Sequence, residues 1–229
     1  MAGEGAGADP DNRTRPKGRP VPTPTARAES LLERLGAADV PHPGGTLLAH
    51  LRRVRTRLAT WNARPAVQLA GLCHACYGTD GFPTALLSLD DRARLTDVIG
   101  AEAESIVYFY AACDRAVVHP TLVDQDAFFR DRFTGRSHTP DMALRRDLAE
   151  LTAANELDLA DHDPAFRERY GADLLTLFRR FRPLLSGSAW NDCLGLDFTG
   201  RSSHIHLSDT SSGQLGGAGG SGDHDDQDH

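Results

Sequence analysis

Two histidines define the chemistry that this sequence could support. His50 lies in a run where Leu47, Leu48, Leu51, Val54, Leu58 and Trp61 recur at the helical period, with Arg52, Arg53, Arg55 and Arg57 between them. It follows Leu47 by three residues and precedes Val54 by four, so it projects from the border of the buried stripe and not from the arginine face. His74 ends a second run that opens on Pro65, at a position suited to a first helical turn, and is almost wholly apolar, as expected of a helix enclosed by others. A buried imidazole with unpaired nitrogens costs roughly 1–3 kcal/mol, so each ring needs a hydrogen-bond partner or a metal. Two such rings on consecutive, packed helices can share one ion. Each can equally be a core residue bonded to a backbone carbonyl, and spacing alone leaves both readings open.

Other polar groups fall close to these two in the chain. The loop from Gly78 to Pro83 opens directly after His74 and puts Tyr77, Thr79 and Asp80 near it. Asp114 and Arg115 follow an apolar helix over 101–113. Asn155, Glu156 and Asp158 interrupt a long helix, with Asn155 on the face of Leu148, Leu151 and Leu159. Of the four cysteines, Cys73 and Cys76 flank His74 as a Cys-x-x-Cys pair. No second such pair completes a zinc set, and both read as small buried hydrophobes.

The elements needed to hold these residues are helices. A short helix runs from Glu29 to Gly36, the His50 and His74 helices follow, and Asp90-Asp91 caps one that stops at Gly100. Further helices are expected over 101–113 and 124–133. Thr139-Pro140 starts the long helix through Asn155, Asp163-Pro164 starts another through Phe181, and a less regular piece spans 184–196. No alternating strands, glycine-rich phosphate loop or repeat appears, so the fold class is all-α: one helical domain over 28–199. Residues 1–27 and 200–229 are rich in small and polar residues and read as a disordered arm and a disordered Ser/Gly/Asp/His tail. A net charge of −7 argues against a nucleic-acid binder. No run is long and apolar enough for a membrane span, and the N-terminus lacks a secretory core, which points to the cytoplasm.

The His50 helix, the stretch ending Gly71-Leu72-Cys73-His74, and a later helix with Ala154-Asn155 together resemble the HD superfamily of all-helical metal proteins over about residues 42–160. The order is most similar to that of the guanosine tetraphosphate hydrolases, with His42-Pro43 before the first helix and Ile99-Gly100 before an apolar one. The Gly-Leu-x-His context is also similar to myo-inositol oxygenase, and to a smaller HD-like family marked by Gly-Leu-x-His-x-x-Tyr-Gly-Thr. The resemblance implies a divalent metal (Mn, Fe or Zn) on His50 and His74. Two departures stand out, Ala75 and Asn155, where the superfamily has its aspartates. They argue against a two-metal site and leave one ion on the two histidines with a carboxylate from Asp80, Asp114 or Asp158.

The expected function is a metal-dependent hydrolase of a phosphorylated small molecule or nucleotide. Asp80 or Glu156 would act as base, and His42, Tyr77, Thr79, Arg115 and Asn155 would bind substrate. A non-catalytic binding module on the same fold, or an iron-dependent oxygenase using the same ligands, is the alternative.

Overall fold

The structure, a computed structural model, describes residues 21–196. The first helix, α1 (Pro24–Arg34), is capped by the Thr23 hydroxyl, which accepts from the Ala26 N–H. It begins earlier than the apolar pattern alone indicates, because Thr23-Pro24 supplies a cap and a first-turn proline. The rest of the expected arm (1–20) and the tail from residue 197 lie outside the described residues.

A hairpin of β1 (Pro41–His42) and β2 (Gly45–Thr46) leads into α2 (Leu47–Thr60), which Thr46 caps. The helices α3 (Pro65–Cys73), α4 (Arg92–Ile99) and α5 (Ala101–Ala112) follow, and the α4–α5 junction is Gly100 at φ +87°, a conformation that favours glycine. After the short α6 (Arg115–Val118) come β3 (Phe129–Arg130), β4 (Ser137–His138), α7 (Met142–His162), α8 (Pro164–Phe181) and α9 (Gly187–Leu194). The described residues are thus predominantly helical, with two very short strand pairs. None of their helices is long and apolar enough to cross a membrane.

α3 lies at the centre, packed on α1, α2, α5 and α7, while α7 also carries α8 and α9. Their close approach has a specific cause at Gly71, where a Cβ would run into the Leu58 side chain of α2, itself fully buried. Gly71→Ala is therefore expected to cost about 1–3 kcal/mol by overpacking. A urea midpoint unchanged from the parent would show that Leu58 has room to rotate away. All four cysteines are buried and free, and the Cys73 thiol is pushed up by its hydrogen bond with Cys76 and by burial, so it is an inert thiol.

Two expected elements are corrected. Residues 124–133 are not helical: the Arg145 guanidinium donates to the Asp124 and Gln125 carbonyls, which a helix would need as acceptors. The Phe129 ring stacks on Phe109 at 4.0 Å, and Phe129–Arg130 pairs with β4. The α7 cap is Asp141, accepting from the Leu144 N–H, and not Thr139; the Pro140 carbonyl accepts from buried Arg145.

Candidate functional site

His50, in the first turn of α2, and His74, at the C-terminal end of α3, meet with their Nε2 atoms 3.4 Å apart. Both rings are almost wholly buried. What each does with its other nitrogen fixes the protons. His74 Nδ1 lies 2.8 Å from the Gly71 carbonyl, which can only accept, so that nitrogen carries the hydrogen. His50 Nδ1 lies 2.6 Å from Asp158 Oδ2. Burial alone pushes the Asp158 carboxyl up, but hydrogen bonds from His50 and Arg53 outweigh it and hold the group at about 2, so this partner too is an acceptor.

In their neutral forms both imidazoles therefore turn lone pairs toward one point. A third acceptor joins them, because Asn155 Oδ1 is 3.1 Å from His50 Nε2 while its amide nitrogen donates to Glu156 Oε1. Three acceptors facing one another without a donor repel, so the arrangement calls for a proton or a cation among them. The spacing suits either: 3.1 and 3.4 Å are hydrogen-bond distances, and two nitrogens each about 2.1 Å from a tetrahedral ion stand roughly 3.4 Å apart. Both rings also show the outer bond that typically orients a metal-bound histidine.

These groups line a cavity of about 290 Å³. Apolar residues including Leu47, Phe82, Leu159 and Phe166 form its walls, and Thr79, Arg115, Asn155 and Glu156 add polar groups. His42 of β1 stacks on His50 at 4.1 Å, held there by a hairpin whose turn passes through Gly44 at φ +75° against His162 of α7. Arg115 donates to Glu156 Oε1 and to the Tyr110 hydroxyl, each at 2.9 Å.

Not every expected residue arrives here. Asp158 sits behind His50, on the ring nitrogen opposite the shared point, so it orients the ring and cannot bind an ion common to both Nε2 atoms. Asp114 is the cap of α6, accepting from the Val117 N–H, and is not among the residues lining the cavity. Asp80 is exposed and accepts from the Arg115 backbone N–H, which positions that arginine. Tyr77 points elsewhere, donating to buried Glu104. Among the described residues no group of three or more His, Cys, Asp or Glu is arranged to hold a metal. The donor set is two imidazoles and an amide.

Arg53 is a member of the candidate site that the sequence pattern hid. It donates to both oxygens of Asp158, at 2.7 and 2.9 Å, and to the carbonyls of Pro43 and Gly44. The signal was its place three residues after His50, on the same side of the helix.

Histidine burial predicts acid lability. Burial, with the neighbouring His50 ring adding to it, lowers His74 to about 3 and His42 to about 4, and burial with Arg115 lowers His119 to about 4. The unfolded chain protonates them near 6.5, so stability is full above that pH and falls as pH drops toward 4. In chelator-treated protein Tm is expected to be flat above about pH 7 and to decline below 6.5. A Tm independent of pH across that interval would refute the assignment.

Residues 31–115 match the model of a family described as a domain of unknown function (DUF6817). The match includes His50, His74, Thr79 and Arg115, and ends before α7 with Asn155, Glu156 and Asp158. No curated protein and no solved structure matches the chain.

Proposed function

We propose that this protein is a hydrolase of a phosphorylated small molecule, related to the HD superfamily, that holds one divalent ion (Mn, Fe or Zn) through His50 and His74, with the Asn155 carbonyl beside them. The observation that carries the reading is the pair of lone-pair-bearing Nε2 atoms 3.4 Å apart in the wall of a cavity. A divalent ion there would supply a nucleophile at neutral pH and draw charge from a phosphoryl oxygen.

The chain's own residues would do the rest. Asp158 keeps the His50 proton on Nδ1, which leaves Nε2 free to coordinate. Glu156 receives both Arg115 and Asn155 on Oε1. Its Oε2 has no hydrogen bond among the described residues, and this favours Glu156 over exposed Asp80 as the base that takes a proton. Arg115 keeps further N–H groups beyond those given to Glu156 and Tyr110, enough to clamp a phosphoryl group. The partner is a small molecule and not a nucleic acid, and the cytoplasm is the compartment we assign.

The test is the metal content of the full chain compared with the His50→Ala, His74→Ala double variant, followed by a phosphoester panel. The expected result is about one equivalent of metal in the parent and its loss in the variant, with any loosely bound remainder common to both. One observation favours a second reading, a binding module without an ion: Ala75 and Asn155 leave the set without a carboxylate, and one proton on His50 Nε2 would also satisfy the three acceptors. Equal metal content in parent and variant would select it.

A further inference from the structure

Arg115, Glu156 and Phe166 wall a second cavity as well as the first. It has a volume of about 270 Å³ and is bounded by His119, just beyond α6, and by Tyr170, Asp173, Leu174 and Leu177 of α8. The chemistry proposed above makes no use of it.

Its character differs from that of the first. The first cavity has imidazoles, an amide and a hydroxyl among its lining residues, whereas the second offers mainly the aromatic and aliphatic faces of Phe166, Tyr170, Leu174 and Leu177 beyond the shared pair. The Phe166 and Tyr170 rings stand 4.9 Å apart, and Leu174 is almost completely buried. Beyond the shared Arg115–Glu156 pair, the charged side chain at its wall is Asp173, exposed on α8. His119 adds no charge, because burial and the Arg115 guanidinium keep it neutral at physiological pH. A phosphorylated sugar or inorganic phosphate held at Arg115 would leave this apolar wall in water.

We propose that the substrate is amphiphilic: a phosphomonoester whose charged head lies at Arg115 in the first cavity and whose alkyl or aryl group lies in the second, against Phe166, Tyr170, Leu174 and Leu177. The two cavities share Arg115, Glu156 and Phe166, so the residue that would hold the head group belongs to the walls of both. The inference rests on the reading of Arg115 as the phosphate clamp and is independent of the metal. Covering about 60 Å² of apolar surface is worth about tenfold in affinity, so the second cavity discriminates strongly by tail length.

The test is calorimetric titration of the full chain with ethyl phosphate and with octyl phosphate below its aggregation concentration, each with and without manganese. Octyl phosphate is expected to bind at least about tenfold more tightly. Tyr170→Ser with Leu177→Ser alters one exposed and one half-buried side chain, so the fold is expected to survive, which the circular dichroism spectrum checks. It should bring octyl phosphate down to the affinity of ethyl phosphate without changing the latter. Equal affinities in the parent, an octyl preference that survives the double variant, or no saturable octyl binding by folded protein would each overturn the proposal. Stoichiometric metal without a tail-length preference would sink this inference and leave the hydrolase reading standing. A tail-length preference without metal would do the reverse.

Discussion

Asp158→Ala is expected to remove roughly 3–5 kcal/mol from the folding free energy, the range typical of stripping one partner from a buried charged network. The carboxylate is 2% exposed and accepts from His50 at 2.6 Å and from Arg53 at 2.7 and 2.9 Å. Alanine would leave the imidazole N–H without its acceptor in the interior and strand the arginine fork. The same bonds give the effect a pH signature. Asp158 is held at about 2 in the fold against 3.8 for the free side chain, so its contribution is complete above about pH 4 and disappears as pH falls through 2. The shift corresponds to roughly 2 kcal/mol. Urea unfolding at pH 7 and pH 3 checks both parts. A loss below about 0.5 kcal/mol at pH 7, no more than an ordinary surface substitution, would mean that the network relaxes around the gap.

Asn155→Asp is expected to act in opposite directions with and without metal. In metal-free protein the new carboxylate replaces an N–H donor 3.1 Å from Glu156 Oε1 with a second acidic oxygen, and the like charges destabilise the fold. With manganese or zinc present, the same change turns a neutral amide into an ionic ligand beside His50 Nε2, and affinity should rise at least about tenfold. The measurement is Tm with chelator and with added metal, for parent and variant. Metal should raise the variant's Tm more than the parent's. If metal moves neither Tm, the three acceptors are joined by a proton and the proposed hydrolase loses its ion.

The helices were legible where local chemistry decides them. Asp163-Pro164 caps α8 as its residues indicate, and Gly100 stops α4 because of its positive φ. The stretch 124–133 was not, since an arginine twenty residues further along captures its carbonyls, and no local pattern records that. At the site, the meeting of His50 and His74 follows from apolar neighbours on two consecutive helices. The part played by Asp158 does not. Asn155 and Asp158 are three apart on α7 and straddle one imidazole, the first on Nε2 and the second on Nδ1. The sequence places both on one long helix, but records neither their meeting with this ring nor which nitrogen each takes. The arginines of α2 misled for a related reason, because an exposed stripe of charge looks the same whether or not one member turns inward to a buried carboxylate.

That inward-turning guanidinium has a mechanical consequence. Arg53 grips Pro43 and Gly44, which form the bend next to His42, and with its remaining donors grips the carboxylate bracing His50. One guanidinium therefore ties the hairpin bend beside the cavity to the carboxylate that orients the His50 ring. A substitution that removes this guanidinium is expected to loosen the bend and the His50 ring in a single step.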